Sequence, residues 1–462
     1  MATTLQQAAP SVPITGAARA KLSPAEMFEQ AREREIALSR LVMGFISAGL
    51  VFMLLPGTFL GVWNLIQISG RASVAAISPA WIQAHGHAQV FGWIGSFILG
   101  IGFYSVPKLR GTAKKEVALA WVCWALWTLG VGLRWFTTAY SWEWRALLPV
   151  SAVLELTAFA IFFRVVSQHR PEAAAGKRGL DPWVWVVIGG ATGLFLMLSL
   201  NLGASVYLAL RGASPAFPHG FDQKYLTLIG WGFLVPFVWG FSAKWLPVFL
   251  GLQPTRAKVL LGAVALNYAG IILTFAGQGA RATGLFVLST LLAIAALRVF
   301  EPSRQEAKTR GVHASFPFFV RLSYAWLLVA AVLGVAAARW DVSGGIWGAS
   351  RHALTVGFVA VMVFCVGQRI LPAFAGMRLL WSTKLMFAGL LLLVAGCTLR
   401  VSCEVLAYQG YANWAWHVLP ISALLELSGV TAFAMNLFGT FILEPSHIQK
   451  QAVVVPAPTI SA

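Results

Sequence analysis

A chain of 462 residues with 58% apolar side chains, 11% charged residues and a mean hydropathy of +0.74 is too apolar to be a set of soluble domains. A net charge of +18 would suit nucleic acid, but 20 Trp, 31 Phe and long uncharged runs point to the lipid bilayer, and nucleic acid is excluded as a partner. Cys123, Cys365, Cys397 and Cys403 form no C-x-x-C pair and stand in apolar runs, which excludes a disulfide framework or a zinc module.

Residues 1–38 read as a cytoplasmic, partly disordered N-terminus, and the first apolar run lies too deep in the chain to be a cleaved signal. A window of about 20 apolar residues, the length that crosses a bilayer, then picks out spans at 40–62, 88–107, 117–138 and 146–167. A second group follows at 184–208, 225–248, 258–278 and 282–300, and a third at 319–339, 352–372, 384–402 and 416–441. The fold class is therefore an all-α polytopic membrane protein of twelve transmembrane helices. They form three pseudo-symmetric four-helix units, at 39–170, 183–300 and 318–443, with a disordered tail over 444–462. With both termini cytoplasmic, the loops after even-numbered spans carry the Lys and Arg residues. Only nine of the 34 (Arg71, Arg134, Arg145, Arg211, Lys224, Arg281, Arg339, Arg351 and Arg400) fall on the outer side, as the positive-inside rule requires.

The repeat is visible in the residues. HAQVFGWIGSFILGIGFYSVPKLRG in the second span aligns with HALTVGFVAVMVFCVGQRILPAFAG in the tenth, pairing His87 with His352, Gly92 with Gly357 and Pro107 with Pro372. The sixth span fits through Gly230-Trp231, with Tyr225 at the histidine position and two extra residues before Pro247. The spans that follow share Gly130-x-x-x-Arg134, Gly277-x-x-x-Arg281 and Gly396-x-x-x-Arg400, and the LEL runs of the fourth and twelfth set Glu155 opposite Glu426. Such symmetry places function at the interfaces between units. The spaced glycines have two readings, close helix packing or room for a flat macrocycle.

His85, His87, His219, His352 and His417 fall at the outer ends of helices. Polar groups buried in a bundle are costly unless bonded or ligated, and neutral imidazole is the usual axial ligand of haem iron. The repeat-related pair His87 and His352 is the leading candidate to hold one iron from two sides. His85, roughly 200° around the helix from His87, either serves a second site or caps the helix. His219 and His417 are weaker candidates for copper or a second haem. Arg134, Arg281, Arg351 and Arg400, at the same level, suit haem propionates. Glu155 and Glu426, deeper in the membrane, either line a proton path or pair with Arg134 and Arg400.

The helix count, the three units and the histidines of the second and tenth spans resemble subunit I of the haem–copper oxidases. The seventh span (KVLLGAVALNYAGIILTFAG) has no histidine and the tenth has only His352, so that family's standard copper centre and second haem site are absent. HGHAQVFGW at His85–Trp93, HALTVGF at His352–Phe358 and the LEL runs are similar to segments of the NnrS family. That resemblance extends over about residues 40–442. It implies a haem- and copper-containing multi-pass protein of the bacterial inner membrane, tied to nitric oxide response or denitrification-related redox chemistry. Carried over, His85, His87 and His352 are the cofactor ligands, with haem b between the second and tenth helices at the periplasmic side. His85, His219 and His417 are the copper candidates, and quinol or a cytochrome is the electron donor. Two other readings stand beside it: a transporter or metal exporter gated through Glu155 and Glu426, and a divergent terminal oxidase without the standard copper centre.

Overall fold

A computed structural model describes residues 23–109, 117–167 and 181–450. Twelve of its helices are long and apolar enough to cross a membrane: α1 (Pro24–Arg71), α2 (Pro79–Lys108), α3 (Val117–Tyr140), α4 (Trp144–Ser167), α5 (Pro182–Arg211), α6 (His219–Phe249), α7 (Ala257–Phe275), α8 (Gly279–Leu297), α9 (Phe316–Trp340), α10 (Gly345–Phe374), α11 (Thr383–Tyr408) and α12 (Ala415–Ile442). The protein is a twelve-helix membrane protein. Several starts are written locally. Ser23 caps α1 with Glu26 in a reciprocal capping box, and Ser78 and Ser382 accept from the first turns of α2 and α11. Proline at the first turn opens α1, α2, α5 and α9, where its missing N–H costs nothing. Helix α1 thus begins at Pro24, well ahead of the apolar run near residue 40. The expected disorder of residues 1–22 and 451–462 lies outside the described residues.

Three helices sit at the centre. In α2, α6 and α10, 83, 72 and 72% of the apolar window is buried inside the protein, against 28–56% in the other nine. The outer helices pair as α3 with α4, α7 with α8 and α11 with α12. Contacts of α4 with α5, α8 with α9 and α12 with α1 close the ring, giving three interfaces between units.

Each central helix contains a π-helical stretch at the same place, Ala88–Gly95 in α2, Leu228–Leu234 in α6 and Ala353–Ala360 in α10. Pro107, Pro247 and Pro372 follow nineteen residues after the first residue of each stretch, with no insertion in any helix. This corrects the register expected for α6. Tyr225 is the equivalent of His85 and of Ser350, while Thr227 is the equivalent of His87 and His352. Side chains on the neighbouring helices agree, because Trp127 Nε1 donates to Phe91 O (3.1 Å) in the first unit and Asn267 Nδ2 to Trp231 O (2.5 Å) in the second.

The same register moves the second unit's Gly-x-x-x motif. Gly277 lies beyond the end of α7 with φ +78°, and Arg281 in the first turn of α8 is exposed and bonded to Gln278 (2.8 Å). The counterpart of Gly130 is Gly270, and that of Arg134 is Thr274. Gly130 and Gly396 let the partner helix approach until a Cβ would stand 2.9 Å and 2.7 Å from Cγ of Glu155 and Glu426. At Gly270 the obstacle is the Phe286 ring, 2.7 Å away.

Candidate haem and polar sites

The ends of α2 and α10 that carry the histidines lie on the face opposite Pro24. His87 and His352, the expected ligand pair, do not face one another. Being equivalent under the repeat, each turns toward the outer helices of its own unit. His87 is buried, stacks on Phe91 (4.2 Å between centroids, 14°) and sets Nε2 2.7 Å from Oε1 of Glu155. Glu155, with no exposed surface, also accepts from Asn201 Nδ2 (3.3 Å) on α5. Arg134, equally interior, donates to Ser205 (3.0 Å), covers the Phe217 ring (4.7 Å) and lies within electrostatic reach of Glu155, Asp222 and Tyr225. This polar cluster fills the interface of α4 with α5. The Tyr225 hydroxyl and Asn201 Oδ1 are buried there without hydrogen-bond partners.

His85 looks the other way. Its ring lies on Gly61 of α1, where a Cβ would come within 2.6 Å of Cε1, and Nδ1 is 2.8 Å from Gly57 O. A carbonyl only accepts, so Nδ1 carries a proton, and in the neutral ring Nε2 then keeps its lone pair. His352 is held in the same manner, with Nδ1 3.0 Å from Gly348 O and 3.2 Å from Oε2 of Glu404. Neither Nε2 makes a hydrogen bond among the described residues. His85 and His352 are electrostatic neighbours, and Arg400 lies within reach of both His85 and Glu426. The residues brought together across the interface of α12 with α1 are therefore His85 and His352.

Arg400 is buried, with Nε 3.2 Å from Oε2 of Glu404 but poorly aligned, and its Nη1 has no partner. Oε1 of Glu426 is likewise buried and unpaired. Glu404, one helical turn after Arg400, is a member that the sequence reading missed; the i,i+4 Arg–Glu spacing inside a span was its signal. Arg351 is half-buried, donates to the Gln223 amide oxygen and lies within reach of Asp222 and Glu404. The charges thus alternate from unit to unit: Glu155, Arg134, Asp222, Arg351, Glu404, Arg400. Arg281 belongs to none of these clusters.

Haem fits the α12/α1 site by its donor set. There are two imidazoles with protonated Nδ1 and open Nε2, a buried arginine N–H lacking an acceptor, and a glycine surface under one ring. Copper fits less well. His219 and His417 are exposed at the starts of α6 and α12, and among the described residues no three His, Cys, Asp or Glu side chains come together to hold a metal.

Comparison with known proteins agrees with this architecture. Residues 244–436 match a family described as a domain of unknown function (DUF8744). No curated protein matches the sequence. Among solved structures, a haem–copper terminal oxidase, determined as a dimer by cryo-electron microscopy, superposes with a TM-score of 0.69 at 12% identity over 91% of this chain and 88% of its own. The chain has the fold of haem–copper oxidase subunit I.

Proposed function

We propose that the protein binds haem b at the α12/α1 interface, where His85 and His352 would hold it, and serves as an NnrS-type protein in nitric oxide response. The observation that carries the reading is the matched pair of imidazoles, each with Nδ1 tied to a backbone carbonyl and Nε2 open. Bound there, haem supplies a one-electron centre whose potential follows its ligands and surroundings. The chain's own residues do the positioning. Gly57 O and Gly348 O accept from Nδ1 and fix the tautomers, and the Glu404 carboxylate, its Oε2 3.2 Å from His352 Nδ1 but outside hydrogen-bond geometry, sets a negative charge beside that ring. Arg400 offers its unpaired N–H to an acidic substituent. Lipid surrounds the ring of outer helices. The distribution of Lys and Arg supports cytoplasmic termini in a bacterial inner membrane, with the histidine face periplasmic and open to a quinol or cytochrome donor. Purified protein should show a Soret band, and a colourless preparation from haem-sufficient cells would overturn the reading.

The oxidase-like fold also favours a divergent terminal oxidase as a second reading. Thr227 in α6 and Ser350 in α10, which stand where α2 has His87 and His85, offer no imidazole for copper and α7 has no histidine, so oxygen consumption with quinol would be needed to support it.

A further inference from the structure

The third interface, between α8 and α9, is built on the same plan but holds a cavity of about 260 Å³. Three substitutions within the repeat account for it. Ser350 stands where α2 has His85, Thr227 where it has His87, and Thr274 where α3 has Arg134, and all three line the cavity. Each hydroxyl already gives its proton to a backbone carbonyl: Ser350 to Ala330 O (2.8 Å), Thr227 to Gln223 O (3.0 Å) and Thr274 to Gly270 O (3.0 Å). None is a donor left over for a ligand. Part of the wall is aromatic, where Trp231 and Phe286 stack on each other at 4.5 Å and 7°.

The donors are at the mouth. Lys224 and Arg351 line it, Lys224 spending one N–H on Phe275 O (3.2 Å) and Arg351 one on Gln223, which leaves both with further N–H groups. Among the described residues no carboxylate lines the cavity. Asp222, Glu404 and Asp341 lie within electrostatic reach of Arg351 but outside the lining, whose own charged side chains are Lys224 and Arg351, with His219 beside them. An apolar cavity of about 150 Å³ takes benzene, so this one takes a one- or two-ring body and is far too small for a macrocycle.

We propose that this cavity is a binding site for a small aromatic carboxylate, its ring against the Trp231–Phe286 stack and its acid group at Lys224 and Arg351. The inference is independent of the haem reading, since it uses neither His85 nor His352.

The test uses the full chain in phosphatidylcholine nanodiscs with 2-naphthoate as the probe, read by its emission sensitised from Trp231 and Trp347. Saturable binding of one probe per chain is expected. The uncharged 2-naphthylmethanol should bind about tenfold more weakly, and Lys224→Gln should weaken naphthoate by a similar factor, the scale of a hydrogen bond to a charged group. Gly334→Leu should abolish binding, because a Cβ there meets Ser350 Oγ and Thr283 Cγ2 at an ordinary 3.7 Å and the rest of the side chain fills the cavity. Unsaturable binding, equal affinity for the alcohol, or unchanged binding by a folded Gly334→Leu protein would overturn the proposal. Lys224→Gln, at the mouth, keeps the test decisive if Gly334→Leu does not fold. Loss of naphthoate binding when phosphatidylglycerol replaces phosphatidylcholine would assign the site to a lipid headgroup and overturn the soluble acid.

Discussion

Tyr225 occupies in α6 the place that His85 occupies in α2, and each lies within electrostatic reach of the arginine of the preceding unit, Tyr225 of Arg134 and His85 of Arg400. One backbone plan thereby yields an interface with an open imidazole, another with a phenol and, through Ser350, a third that is hollow. The chemistry of each follows from two or three side chains set just above a shared π-helical stretch.

Replacing His85 or His352 by alanine should abolish the Soret band, whereas His87→Ala should retain it. His87 is committed to Glu155 and turned away from the other two. Absorption spectra of the three variants, normalised to protein, decide the matter; loss in His87→Ala with retention in His85→Ala would reverse the assignment.

Glu155→Ala should destabilise the protein by about 3–5 kcal/mol, the usual cost of removing one partner from a buried charged pair. It strands Arg134, His87 and the Asn201 amide together. Glu155→Gln should cost less, because an amide oxygen still accepts from His87. Thermal unfolding in a fixed detergent is the measurement, and equal losses for the two variants would show that the hydrogen bond contributes nothing.

Arg400→Ala should lower haem retention by about tenfold or more, since the buried guanidinium is the donor at the ligand site. Arg281→Ala should leave haem content unchanged and shift stability by no more than about 0.5 kcal/mol, as exposed positions do. Haem-to-protein ratios after gel filtration compare the two.

Glycine substitutions should separate sharply. At Gly193 a Cβ would collide with the backbone carbonyl of Gly232, and at Gly396 it would stand 2.8 Å from Ser422 O, so alanine at either site must push two helices apart, at about 1–3 kcal/mol. Gly262 and Gly284 have nothing within 4 Å, and alanine there should be neutral or stabilising by up to about 1 kcal/mol. Melting temperatures of the four single variants provide the comparison.

The twelve spans were legible in the sequence because apolar length alone specifies them, and the fold followed from their grouping. The equivalence of His87 with His352 was legible too, since the motifs align without a gap. What it meant in space was not. Equivalence under a ring-like repeat carries two residues to different interfaces, and only the packing brings His85 within electrostatic reach of His352. The register of α6 was misread because Gly230-Trp231 imitates the Gly92-Trp93 pair two residues early; the π-helical stretch and Pro247 correct it. Glu404 was overlooked although an acid inside a span, four residues after Arg400, marks an ion pair.

The alternation of charge from Glu155 through Arg134, Asp222, Arg351 and Glu404 to Arg400 sets three acids against three bases. Such a chain tolerates loss in pairs better than loss one by one. Removing a single member leaves its neighbours uncompensated in a medium that cannot solvate them, while removing an adjacent acid and base together preserves the balance of the remainder. Exchange of charged neighbours for apolar ones is therefore tolerated best two at a time, an adjacent acid together with its base.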